Sequence, residues 1–319
     1  MATADQIKSL VKAYVDQDND KFKTVVLQIA AHEAKIGHDG MARDLKKMMD
    51  NIGTKKANVI KMNNQNPMLL YSVPDVQMSD LITSDSICEK INRILMEYRN
   101  RKKLYSFGLS NRRKVLIEGA PGTGKTLTAS VIAAELGLPL YTVQVDKLVT
   151  KFMGETSVRL RQIFESMESL PGVYLFDEFD AIGADRSLDN EVGEMRRILN
   201  SFLQFIEQDS SESIIIAATN NQQMLDQALF RRFDDVLHYE LPKDDEIRKL
   251  IAYKFDSYGK NFAVTGSVIQ AAQGLSQAEI SKVCDDAIKE AILCDTAITS
   301  ERVVSILKER RGMYSVKEA

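Results

Sequence analysis

The chain has 319 residues, and its 42 lysines and arginines against 45 aspartates and glutamates leave a net charge of −3. That balance lacks the basic excess of a constitutive nucleic-acid binder, and a hydrophobic content of 44% excludes a disordered chain. No apolar run nears the roughly 20 residues of a membrane helix, the start MATADQIKSL lacks a signal-peptide pattern, and Cys88, Cys284 and Cys294 are too scattered for a disulfide framework or zinc cluster, so a protein of the reducing cytoplasm with no membrane partner is expected.

Residues 1–52 read as a small helical bundle. Apolar residues recur at helical spacing around Ile7–Tyr14, Val26–Ala31 and Met41–Met49, broken by Asp16–Asp20 and Gly37–Gly40. A bundle this short has little core of its own, so it is expected to lean on a neighbour or a partner. His32-Glu33 resembles the start of a zinc-protease HExxH, but the second histidine position holds Ile36. His38 lies about 240° round a helix from His32, so the two cannot share a metal. Residues 53–74 are polar, carry Pro67 and Pro74, and read as a linker. Beyond Met78 a helix is expected with Ile87, Ile91, Ile94, Leu95 and Tyr98 on one face.

Residues 75–241 change character. Val115–Ile117, Leu140–Val145, Val173–Phe176, Ile214–Ala218 and Val236–Leu241 are short apolar runs separated by helical stretches. This pattern predicts an α/β fold, a five-stranded parallel sheet covered on both faces. From Pro242 on, residues 242–319 read as helical, with Gly259, Gly266 and Gly274 as breaks.

Chemistry concentrates in Gly119-Ala-Pro121-Gly122-Thr123-Gly124-Lys125-Thr126-Leu127, a match to the phosphate-loop pattern G-x-x-x-x-G-K-[ST]. It follows a strand and opens a helix, as that pattern requires. Chance occurrence in a chain of this length is on the order of one in a hundred. The loop's backbone N–H groups would face phosphates, Lys125 would reach the β and γ phosphates, and the Thr126 hydroxyl would bind Mg²⁺. A second element, Val173-Tyr-Leu-Phe-Asp177-Glu178, puts two acids at the carboxyl end of a buried strand, where open α/β sheets bind ligands. Asp177 suits Mg²⁺, and Glu178 suits polarising an attacking water.

With these in place, the chain from Val76 onward resembles the AAA family of ATPases, a P-loop NTPase fold with a C-terminal helical lid. The resemblance rests on GAPGTGKT, on LFDEFDAIGADR, and on Lys151-Phe152-Met153-Gly154-Glu155, which is similar to the family's first pore loop. It rests also on Ile214–Asn220, similar to its sensor strand; on Asp226–Asp234, similar to its arginine-finger segment; and on Gly274-Leu-Ser276-Gln-Ala278-Glu279 in the lid. It implies ATP and Mg²⁺ as cofactors and ATP hydrolysis by a homo-oligomeric, usually hexameric, ring. Asn220 would stand near the γ-phosphate. Arg231 or Arg232 would act on a neighbour's nucleotide, and the adjacency of the two leaves open which does so. Phe152, Met153 and Gly154 would grip a polypeptide in the pore, whereas from the residues alone a core plug remains the alternative for Phe152. Ala278 stands where a second sensor arginine would be.

Two functions remain open at this level. One is remodelling or threading of a protein substrate recruited through residues 1–52. The other is a nucleotide-dependent switch or scaffold acting on a partner without threading. Similar short stand-alone bacterial ATPases with such a helical front are often encoded beside a separate subtilisin-like peptidase, which fits either reading.

Overall fold

The computed structural model describes residues 19–35, 66–148, 155–178, 189–220, 230–256 and 262–315, with positions 8, 38, 40 and 41. The chain divides into two compact units, Met1–Asn58 and Val59–Ala319. In the first, helix α1 spans Asn19–Lys35. It buries Val25, Val26, Ile29 and Ala30 and leaves Leu27 exposed. Glu33 is buried and accepts a hydrogen bond from His38 Nδ1 at 2.6 Å, so the apparent protease motif resolves into a local structural pair. The other two helices expected in residues 1–52 lie outside the described residues.

The second unit opens with strand β1, Leu69–Ser72. A 3₁₀ turn at Met78–Asp80 leads to helix α2, Asp85–Arg99, and α3, Arg101–Ser106. Then follow β2 (Lys114–Gly119), α4 (Lys125–Leu136), β3 (Leu140–Val143), α5 (Val145–Leu148), α6 (Glu155–Ser169), β4 (Val173–Phe176), α7 (Asp189–Gln208), β5 (Ile214–Thr219) and β6 (Asp235–Tyr239). Four helices close the chain: α8 (Asp244–Asp256), α9 (Gly266–Ala272), α10 (Gln277–Leu293) and α11 (Ser300–Ser315).

The strands form one sheet in the order β1-β3-β4-β5-β2-β6. Five are parallel, as the alternating pattern predicts. The sixth is a correction: Leu69–Ser72, inside the expected linker, adds antiparallel to β3, with Leu69 opposite Val143 and Ser72 opposite Leu140. Four half-buried residues bracketed by prolines carry no strand signal of their own. Proline is tolerated at the ends of an edge strand, and Tyr71 packs its ring 5.7 Å from that of Tyr141. A second correction is local: Val145, expected in a strand, opens α5.

Both faces of the sheet are covered. α6 and α7 pack Leu160, Ile163, Phe164, Phe202 and Ile206 against Tyr174 and Phe176 on one side. α2 and α4 pack Ile91, Ile94, Val131 and Ile132 against Val115, Ile117 and Leu175 on the other. The face expected of α2, Ile87, Ile91, Ile94, Leu95 and Tyr98, is the one it buries, and Ser84 caps the helix by accepting from the Ile87 N–H. Helices α8–α11 form a separate core around Ile251, Phe255, Val268, Ile280, Val283 and Leu307. α10 starts on a capping box: Ser276 Oγ accepts from the Glu279 N–H while Glu279 Oε2 accepts from the Ser276 N–H at 2.8 Å.

Candidate functional site

Strands β4, β5 and β2 are consecutive neighbours in the sheet, so their carboxyl ends bring three sequence segments to one edge. β2 runs into the glycine-rich loop, β4 into Asp177-Glu178, and β5 into Asn220. A cleft of about 600 Å³ lies over this edge. Its walls include Pro121–Leu127, Asp177, Glu178 and Asn220, with Val76 and Asp80–Ile82 on one side and Leu250, Tyr253, Gln277 and Ala278 on the other.

The loop is shaped by its glycines. At Gly122 the backbone is left-handed, φ +77°, and an added Cβ would stand 2.7 Å from Ser276 Oγ and 3.1 Å from Ala278 Cβ. Only glycine admits that approach, which brings the Ala278 N–H to donate to the Gly122 carbonyl at 2.9 Å. At Gly119 a Cβ would fall 2.3 Å from the Tyr239 carbonyl oxygen. α4 begins on Gly124 with no side-chain cap. The first turn of a helix has N–H groups without intrahelical partners and a partial positive charge, and here it borders the cleft. The arrangement suits an oligophosphate.

Lys125 is only 7% exposed. Its ammonium donates to the carbonyls of Gly119 at 2.7 Å and Ala120 at 2.9 Å and to Asn220 Oδ1 at 2.8 Å. An amine held by three neutral oxygens can exchange these partners for phosphate oxygens. The Thr126 hydroxyl donates to Asp177 Oδ2 at 2.6 Å. A hydroxyl and a carboxylate side by side offer hard oxygen donors that fit Mg²⁺, which takes few protein ligands and completes its shell with phosphate and water.

Glu178 is exposed and has φ +52°. A left-handed glutamate costs about 1–3 kcal/mol, and such strain collects at functional sites. Its N–H donates to Asp177 Oδ1 at 2.9 Å, a bond that fixes the turn and presents the carboxylate at the cleft. The two expected finger arginines differ. Arg232 pairs with Glu207, Nε to Oε1 at 3.5 Å, while Arg231 is exposed. Phe152, Met153 and Gly154 lie outside the described residues, as do 221–229.

Two cleft residues, Asp80 and Tyr253, gave no sequence signal. Asp80 accepts from the Gln77 N–H through Oδ2 at 2.8 Å and from the Tyr253 hydroxyl through Oδ1. That second bond ties the lid helix α8 to the segment before α2, and it pushes the Tyr253 phenol up to about 12, with burial adding to the effect. Gln277 and Ala278 reach the cleft because α10 starts there. The Gly274-Leu-Ser276 run, a helix start after a turn, is the signal that marks them. His238, exposed on β6, contacts the buried Glu118 and lies outside this cleft. Among the described residues no three His, Cys, Asp or Glu side chains cluster to hold a metal, and no helix is long and apolar enough to cross a membrane.

Comparison with known proteins agrees with this geometry. Residues 115–241 match the sequence profile of the ATPase family associated with various cellular activities (AAA). An uncharacterized AAA family ATPase of Sinorhizobium fredii, y4kL, is 34% identical over 302 residues, covering 92% of this chain and 90% of the relative. A putative 26S proteasome regulatory subunit homolog of Methanothermobacter thermautotrophicus is 30% identical over 268 residues, 81% of this chain and 70% of that one. The ATP-dependent zinc metalloprotease FtsH of Mycoplasmopsis synoviae is 30% identical over 271 residues, 77% of this chain but 40% of its own length.

Proposed function

This chain belongs to the AAA family of ATPases, and from that premise we propose that it hydrolyses ATP as a ring of identical subunits to move a protein substrate. The observation that carries the reading is the convergence of Lys125, Thr126, Asp177, Glu178 and Asn220 on one cleft between the sheet edge and the lid.

Each residue then has a task set by its chemistry. The loop amides and Lys125 bind the β and γ phosphates. Thr126 and Asp177 hold Mg²⁺, which neutralises charge on the phosphate oxygens when bound. Glu178 orients and polarises the attacking water, and Asn220 positions that water near the γ-phosphate. The site is completed by an arginine from the next subunit, a contribution of about 10³–10⁵ in rate where such fingers act. We assign that role to Arg231, because Arg232 is engaged by Glu207 of its own chain. Phe152, Met153 and Gly154 grip the polypeptide, and residues 1–52 recruit it or an adaptor.

The test separates binding from turnover. Lys125→Ala removes the cation that compensates the phosphates and should abolish ATP binding. Glu178→Gln should retain binding and stop hydrolysis. A Glu178→Gln protein that turns ATP over at the normal rate removes the water-activating role. ATP-dependent unfolding of a tagged protein, lost in Phe152→Ala with ATPase retained, distinguishes threading from a nucleotide-driven switch.

A further inference from the structure

Beneath the glycine-rich loop two hydroxyls meet out of reach of water. Tyr239, the last residue of β6, is 4% exposed, and Thr128, in α4, is 0% exposed. Tyr239 belongs to the apolar layer that holds Leu81, Ile87, Ile117, Ala129 and Leu237. Its hydroxyl contacts that of Thr128 in a fully buried bond. Two aliphatic side chains of similar size would fill this layer without the cost of burying hydroxyl groups. The polar pair therefore points to a task other than packing.

The Thr128 hydroxyl donates to the Gly124 carbonyl at 2.9 Å, alongside the Thr128 N–H at the same distance. A hydroxyl carries one proton, so Thr128 accepts in its contact with Tyr239 and the phenol donates. Burial pushes that phenol up to about 12, against the opposing pull of Thr128 and Thr83. It therefore keeps its proton, and stays a donor, through the neutral range. Two bonds in series, from Tyr239 to Thr128 and from Thr128 to Gly124, end on the phosphate loop.

Tyr239 reaches the loop by its backbone as well. β6 pairs Tyr239 with Gly119, where the loop starts. At the other end a Cβ on Gly124 would lie 3.9 Å from Tyr239 Cε1, so one residue underlies both ends. The Gly124 carbonyl and the Lys125 N–H belong to one planar trans peptide and point in opposite directions. Pinning that carbonyl along the helix turns the Lys125 N–H outward, at the positive end of α4 that borders the cleft.

We propose that Tyr239 is a positioning residue for nucleotide binding, which holds the end of the phosphate loop in its phosphate-ready form through the Thr128 hydroxyl. The proposal rests on the reading of the cleft as a nucleotide site. Neither Tyr239 nor Thr128 lines the cleft, so both act through Gly124 and neither touches the ligand. A loop held this way favours bound nucleotide equally before and during phosphoryl transfer. Such uniform stabilisation is read in affinity and KM more than in kcat.

The experiment titrates ADP with Mg²⁺ into the full-length protein by calorimetry, with steady-state ATPase assays beside it. Tyr239→Phe keeps the ring and loses the donor. Its Kd for ADP should rise roughly three- to tenfold, the factor carried by one neutral hydrogen bond, and KM for ATP should rise by more than kcat falls. Thr128→Val should weaken binding at least as much, and Thr128→Ser, which restores the hydroxyl, should recover the affinity that Thr128→Val loses. A chain carrying both Tyr239→Phe and Thr128→Val should bind no worse than Thr128→Val alone, because the two bonds act in series. A wild-type Kd in Tyr239→Phe, whatever its melting temperature does, overturns the proposal and leaves the hydroxyls a structural pair. Additive weakening by the two substitutions overturns it as well, since the residues then act independently. If the wild type itself binds no ADP, the nucleotide reading of the cleft fails and the proposal falls with it.

Discussion

Replacing Tyr253 with phenylalanine deletes one hydroxyl and tests what holds the lid over the cleft. Among the described residues, one hydrogen bond joins lid and body on each side of the cleft. On the loop side the Ala278 N–H donates to the Gly122 carbonyl, and on the other side the Tyr253 hydroxyl donates to Asp80. The first is backbone and survives substitution; the second does not. A hydrogen bond to a charged acceptor contributes about 1.5–3 kcal/mol when shielded. Tyr253 and Asp80 are both half-buried, so water competes and about 1 kcal/mol is the appropriate figure, a factor of roughly 5 in an equilibrium constant. Tyr253→Phe should therefore release a fluorescent ADP analogue about fivefold faster in stopped-flow mixing, with the fold unchanged because the ring remains. The pH dependence has a definite sign. The tyrosine pKa is raised from about 10 to about 12 by the bond to Asp80, so the bond's contribution is complete below pH 10 and is lost as pH rises through 12. Wild-type release should thus be insensitive to this group at neutral pH. An ADP release rate within 1.5-fold of wild type would refute the idea that this bond restrains the lid.

Further outcomes follow from the same geometry. Gly119→Ala places a Cβ 2.3 Å from the Tyr239 carbonyl oxygen and 3.0 Å from its carbon. The obstacle is the backbone of the paired strand β6, so strain and overpacking together should cost roughly 2–6 kcal/mol and lower the melting temperature by on the order of 10 °C; an unchanged melting curve contradicts the packing described. Arg231→Ala should lose most ATPase activity while each chain still binds nucleotide, Arg232→Ala should lose less, and mixing Arg231→Ala with Lys125→Ala chains should recover some hydrolysis at mixed boundaries; absence of recovery argues against a shared site. Deleting residues 1–52 should leave basal ATP hydrolysis and assembly intact and remove substrate coupling, whereas loss of hydrolysis makes that unit part of the motor itself.

The residues themselves determined whatever is contiguous in the chain. A phosphate loop must be built from one run of backbone, so Gly119–Thr126 is legible as a string. A buried parallel strand is a short apolar run, so β2, β4 and β5 could be read directly, with Asp177 and Glu178 visible at a strand end. The buried face of α2 followed from its spacing, because a helix repeats every 3.6 residues. What the tertiary structure alone decided is which runs become neighbours. The order β4-β5-β2 sets Asn220 beside Lys125 and Asp177 beside Thr126, and strand order depends on how crossover helices pack, which no local pattern encodes. The same holds for Asp80 with Tyr253, which carry no motif, and for the pairing of Gly122 with Ala278, members of two motifs more than 150 residues apart. It holds for β1, whose four residues become a strand only because β3 exposes an edge. Arg231 and Arg232 are equivalent as letters, and the fold pairs Arg232 with Glu207 while leaving Arg231 exposed.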